Sequence, residues 1–313
     1  MVDYEYVKAI AAIVAAGIAA ITSIITLLIS SAIKSIADKN FHKYKLKSDF
    51  EYDEMKRIKE QLSLNKMQLL NAAETLNHRL WNFTDNVNEQ WHKVDGIYDV
   101  KKNTYFVSFV YRLAAFYAWI RKIEKDMIFL DTTIASEEDL QFIKYLKLLQ
   151  VIFCDHSLFA GRVYDKNYAR DHFFKNQFET MVESLIINKS ICEFKYFEEH
   201  LSEYVIELDN ICAFIDGLNP DEQRFRWDVL QIFHLTLMSF LNTYGYDFQF
   251  TDRTKIEMLL NRNRVTTLIN NYWCTVQKMK MHNQKELKQV FKIAKELSTK
   301  GTENLNANMK INA

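Results

Sequence analysis

The chain holds 313 residues, 49% apolar and 26% charged, with 40 basic and 40 acidic side chains that cancel. Six glycines and one proline, against average usage of about 7% and 5%, argue against β-sandwiches, barrels and glycine-rich nucleotide folds, whose turns and loops need positive-φ positions. The four cysteines, Cys154, Cys192, Cys212 and Cys274, form no C-x-x-C pair, so neither a disulfide framework nor a zinc site is encoded. The apolar contexts of Cys154 and Cys212 predict buried thiols.

In chain order, the first element is an uncharged run of 25 residues from Ala9 to Ile33. As a helix it measures about 38 Å, against a hydrocarbon core of about 30 Å, so it can span a membrane with some tilt. Ser30-x-Ala32 resembles a signal-peptide cleavage site, but the run is too long for a signal core, and Asp3 and Glu5 replace its basic start. Only Lys8 precedes the run, whereas Lys34, Lys39, Lys43, Lys45 and Lys47 follow it. The positive-inside rule therefore predicts a single-pass membrane protein, N-terminus outside and residues 34–313 cytoplasmic. Tyr105–Ile120 carries Arg112 and Val229–Leu241 is short and holds His234; both suit buried core helices better than spans.

The predicted span is two-sided. Fourteen of its 25 residues are Ala, Gly, Ser or Thr. At 100° per residue Ala11, Ala12, Ala15, Ala19, Thr22, Thr26 and Ser30 share one face, and Ile10, Ile13, Val14, Ile21, Ile24, Ile25 and Leu28 the other. Small residues let helices approach closely and hydroxyls bond across the contact. The face reads as a seam between copies of the chain, or as the lining of a narrow pore made by several copies; a monomeric anchor is the third reading.

Residues 34–50 read as a basic helical stalk ending at Ser48-Asp49. From residue 51 to 298 the spacing predicts one helical domain of about eight to ten helices, giving an all-α chain. Met55, Ile58, Leu62, Leu69, Leu70, Ala73, Leu76, Leu80 and Phe83 follow helical spacing. A helix is expected from Tyr105 to Leu130. Ser136 with Asp139 three residues on caps another, expected to reach Ala160. Gly217 closes a helix, Pro220 is placed at a helix N1 position, Gly245 and Asp247 turn the chain, and Thr251-Asp252 opens the next helix. The Asn-rich residues 299–313 read as a flexible tail.

The chain carries no G-x-x-x-x-G-K-S/T, G-x-G-x-x-G, G-x-S-x-G or H-E-x-x-H motif, and no catalytic residue, metal ligand or cofactor is assigned. The Asp155-His156 and Asp171-His172 pairs lack a third group at fixed spacing. Charge segregation is the stronger signal. Residues 193–222 hold nine acids against Lys195, while 253–300 hold eleven basic side chains against Glu257, Glu286 and Glu296. Within the basic part, Arg253, Lys255, Arg262, Arg264, Trp273, Lys278 and Lys280 could bind a nucleotide or short single strand, since arginines fork onto phosphates and aromatics stack on bases. Mutual packing of acidic and basic helices is the simpler alternative.

Gln61-Leu62, Leu69-Leu70-Asn71-Ala72-Ala73, Leu76, Arg79-Leu80 and Asn82, then Tyr105, Phe116, Trp119-Ile120-Arg121 and Asp131, resemble a family of bacterial single-span proteins with helical cytoplasmic domains. Arg224, Leu230-Gln231 and Leu241 resemble its third block. By architecture the chain also resembles membrane effectors of anti-phage systems, such as the Hailong effector. That resemblance implies a homo-oligomer in the lipid bilayer of a bacterial inner (cytoplasmic) membrane, with a nucleotide or short nucleic-acid ligand supplied by a partner nucleotidyltransferase. The basic region would then hold the ligand and the small-residue face would form the pore.

Overall fold

The computed structural model describes residues 4–99, 102–163, 171–261 and 266–311, with side chains left out at 262–267 and beyond 298. Among the described residues the chain is helical apart from one two-stranded hairpin. It divides into two units, Met1–Arg57 and Ile58–Ala313.

The first unit consists of the N-terminal part of α1, a helix running from Tyr4 to Asp85. The predicted apolar run lies inside this helix, is long and apolar enough to cross a membrane, and is covered by nothing. Ser48-Asp49 does not end the helix. With no Gly or Pro nearby, two polar residues remove no backbone bond, and Lys47 pairs with Glu51 one turn on at 3.6 Å. Met55, expected on the buried face, is exposed.

The second unit contains the rest of α1 and α2 (Thr104–Asp126), α3 (Glu137–Cys154), α4 (Lys175–Glu183), β1 (Ile186–Ile187), β2 (Ser190–Ile191), α5 (Phe194–Glu199), α6 (Leu201–Glu207), α7 (Asp209–Ile215), α8 (Arg226–Tyr244), α9 (Arg253–Asn261), α10 (Thr266–Lys278) and α11 (Lys285–Ile311). Helix α8 is central: Arg226 through Leu241 are all buried, as befits a helix apolar on every side. It packs against α3, α9, α10 and α11, while α2 packs against α4, α5 and α7. Both apolar stretches assigned to core helices are therefore core. The heptad-like α1 residues Ile58, Leu62, Leu69, Leu70, Ala73, Leu76, Leu80 and Phe83 are buried as their spacing predicts.

Aromatic rings fill the centre. Tyr117 meets Phe116, Phe153, Phe178 and Phe233 with ring centroids 4.8–5.8 Å apart, and its hydroxyl donates to the Leu149 carbonyl at 2.7 Å. Each such ring contributes about 1.5–3 kcal/mol by leaving water, and the phenol avoids a desolvation penalty by keeping a partner. Burial pushes the thiols of Cys154 and Cys212 up to about 12, so neither is a nucleophile near neutral pH.

Several boundaries differ from expectation. Helix α2 stops at Asp126, and α3 stops at Cys154 because Asp155 turns to cap a short 3-10 turn, accepting from the Ser157 amide at 2.8 Å. Pro220 is not at a helix start; it lies in a turn where Asn219 Oδ1 accepts from the Asp221 amide at 2.8 Å, and α8 begins only at Arg226. Gly217 (φ +60°) follows α7 as predicted. At Gly245 a Cβ would stand 2.5 Å from the Leu241 carbonyl, so the chain leaves α8 where only glycine fits. Asp252 opens α9, accepting from the Lys255 amide at 2.9 Å. The α11 backbone continues through Ile311, over residues whose composition predicted a flexible tail.

Arg226 ties the unit together. Its guanidinium holds Glu222 through both carboxylate oxygens and donates to the carbonyls of Ala213, Phe214 and Asp216, closing the open end of α7. Asp216 in turn accepts from the amides of Val94, Asp95 and Gly96, and His92 Nε2 meets the Leu218 carbonyl at 2.7 Å. Two of the acids in the acidic stretch are thus internal connectors.

Candidate functional site

In the first unit, Ala12, Ala15, Ala19, Thr22, Thr26 and Ser30 are exposed on α1. The hydroxyls are already engaged along the helix. Thr22 donates to the Ile18 carbonyl at 2.7 Å, Thr26 to Thr22 at 2.8 Å and Ser30 to Thr26 at 2.5 Å. Back-bonding of this kind satisfies the donor where water is absent. What these side chains still offer outward is acceptor oxygen, so a contact across the face would bring its own donor or cation.

In the second unit, α10, α11 and the turn between them enclose a groove of about 830 Å³, within the roughly 300–1,000 Å³ of small-ligand sites. Ile269, Trp273, Phe291 and Ala294 supply its apolar wall; Asn270, His282, Asn283, Lys288, Lys292, Lys295 and Ser298 its polar rim. No carboxylate is among the lining residues. Lys288, Lys292 and Lys295 recur at spacings of four and three, placing them on one stripe of α11. Trp273 and Phe291 face each other with centroids 4.2 Å apart. Their position is fixed from beneath: Tyr272, the residue before Trp273, is fully buried and its hydroxyl meets Thr236 Oγ1 of α8 at 2.5 Å.

Of the basic-region residues singled out, the groove gathers Trp273 alone. Arg253 is held by Glu257 at 2.6 Å and Glu296 at 2.5 Å, which bind α9 to α11; these carboxylates raise its pKa further. Lys255 is exposed on α9, Lys278 ends α10, and Lys280 follows at φ +55°; none lines the groove. Arg262 and Arg264 lie outside the described residues. The α11 lysines were visible as charge excess, but their role depends on which turn of α11 faces Trp273. A four-three lysine spacing on the same helix was the available signal.

In each Asp-His pair the aspartate holds another partner. Asp155 accepts from Ser157, and Asp171 accepts from Arg224 at 2.9 Å. Burial, then nearby His156, lowers the pKa of His172. Among the described residues no group of three or more His, Cys, Asp or Glu side chains gathers to hold a metal. Chemically, the α10–α11 groove can take an anion with a planar apolar part. No family model, curated protein or solved structure matches this chain.

Proposed function

We propose that this protein is an oligomeric membrane effector: the apolar stretch of α1 spans the bilayer, copies meet through its small-residue face, and a nucleotide or short nucleic acid in the α10–α11 groove biases the assembly between closed and leaking arrangements. The observation that carries the reading is the uncovered apolar stretch of α1, 25 residues without a charge, which water does not tolerate and lipid does. The lysine excess after the stretch supports a cytoplasmic placement of the helical domain, and the bacterial inner membrane rests on the resemblance. The lysine-rimmed groove with Trp273 supports an anionic, base-bearing ligand. Such a ligand shifts the assembly only by its differential affinity for the two arrangements. A role in anti-phage defence rests on architectural resemblance, which suggests a nucleotidyltransferase as the ligand's source.

The test has two arms. In cells producing the chain, Thr26→Leu and Ala19→Leu should each abolish membrane depolarisation, read with a potential-sensitive dye, while membrane yield stays constant. Undiminished depolarisation in both removes the pore. For the ligand, a fluorescent oligodeoxynucleotide should bind the detergent-purified chain, and its affinity should fall steeply with salt and by about tenfold or more in Lys288→Glu/Lys292→Glu. Binding that ignores salt and that double substitution removes the groove.

A further inference from the structure

A second recess, of about 430 Å³, opens between the residue 68–75 stretch of α1 and α2, with Phe194 of α5 at its edge. Its wall carries Gln68, Asn71, Tyr111, Arg112 and Trp119. Arg79 reaches the same place. Its Nη2 donates to Ser108 Oγ at 2.8 Å, and its guanidinium lies 4.2 Å from the centre of the Tyr105 ring. Arg112 Nη1 reaches the Thr75 carbonyl only at 3.5 Å.

Arg112 therefore lines the recess and Arg79 adjoins it through Ser108, both half-buried, and among the described residues neither pairs with a carboxylate. Buried Nε of Arg79 has no hydrogen-bond partner. Burial, then the charge of Arg79, lowers the pKa of Arg112; the two cations repel each other. Burial, then nearby Cys192 and Glu193, raises the pKa of the Tyr111 phenol, which donates to the Cys192 carbonyl at 2.9 Å. Among the described residues the other half-buried or buried guanidinium groups have a counter-charge: Arg121 with Glu124, Glu179 and Glu183, Arg224 with Asp171, and Arg226 with Glu222.

We propose that this recess binds a phosphomonoester of the mononucleotide class, its phosphate between Arg79 and Arg112 and its base against Trp119. A carboxylate would neutralise one of the two cations, whereas a phosphomonoester carries about −1.5 to −2 at neutral pH and matches both. Guanidinium forks fit its oxygens in pairs. The Gln68 and Asn71 amides can donate and accept at sugar or base edges, and the volume lies within the range of small-ligand sites. The site is independent of the α10–α11 groove and of whether α1 forms a pore.

Titration calorimetry on the full-length chain in detergent, with AMP, inorganic phosphate and adenosine as probes, tests it. AMP should bind, inorganic phosphate more weakly, and adenosine not at all. Arg112→Gln should weaken AMP by at least about tenfold, the loss of one charge-assisted pair, while the ligand-free melting temperature holds or rises as the cationic repulsion goes. In Lys292→Glu the AMP heat that Arg112→Gln weakens should remain, whatever the α10–α11 groove itself binds. The proposal falls if AMP shows no heat at about 10 mM, if Arg112→Gln binds as well as the parent, or if Lys292→Glu removes binding instead, which would move the ligand to the other groove.

Discussion

Asn188 and Lys189 sit at φ +50° and +64°, joining β1 to β2 through a two-residue turn in which both central positions are left-handed. Asn tolerates that region; Lys pays the Cβ–carbonyl clash, about 1–2 kcal/mol. Lys189→Gly should accordingly raise stability by about 1 kcal/mol, after allowing for the larger freedom of glycine in the unfolded chain; a chemical denaturation midpoint checks it, and a lower midpoint would mean that the lysine side chain stabilises the turn by other contacts. This hairpin was not legible in the sequence, because the usual Asn-Gly or Asp-Gly signal is absent. Ser136 was legible, and its oxygen accepts from the Asp139 amide at 3.1 Å. Arg253 shows the opposite case: its charge was plain, but whether it met a ligand or Glu296 depended on a residue 43 positions away.

At the level of elements, helical periodicity located α1, α2, α3 and α8 because each buries a long stripe or its whole circumference. It failed over 193–215, where α5, α6 and α7 are each a turn or two long and too short to establish a period. It also failed at Pro220, since a proline can start a helix or shape a turn, and Arg226 decided the matter by anchoring to the end of α7. The loop closed by that anchor carries a titration. His92 is buried against Phe83, with ring centroids 4.8 Å apart, and burial lowers its pKa below 6.5 despite the bond to the Leu218 carbonyl. Below 6.5 the unfolded chain therefore takes up protons that the folded chain refuses. The stability His92 contributes is full above that value and is lost as pH falls through it toward the lower folded pKa. The melting temperature should drop between about pH 7.5 and pH 5.5, and His92→Gln, which can still donate to Leu218, should flatten part of that drop. A pH profile unchanged by the substitution would assign the titration elsewhere, with His172, also lowered by burial, the next to test.

For the whole molecule, zero net charge conceals three separated fields: lysines after the apolar stretch, acids over 193–222, and the basic side chains of 253–300. The first follows a stretch long and apolar enough to cross a membrane. The second is partly absorbed by Arg226 and by the amides of the 94–96 loop, and the third is partly absorbed by Arg253 and its two glutamates. On α11 the lysine stripe borders Trp273. An effector and a membrane-tethered scaffold would both use that stripe, so the ligand groove cannot separate them; the apolar stretch can. In a scaffold the stretch is only an address, and any span of equal length serves. In an effector its small-residue face meets other copies, and the side chains of that face matter individually. Replacing residues 7–33 with a leucine-rich, monomeric span should leave membrane yield and oligonucleotide affinity as they were, because the groove lies wholly in the second unit. Depolarisation should disappear, and cross-linking in the bilayer should shift from multimers to single chains. If depolarisation survives the exchange, the conducting assembly is not built from this face, and the scaffold reading takes its place.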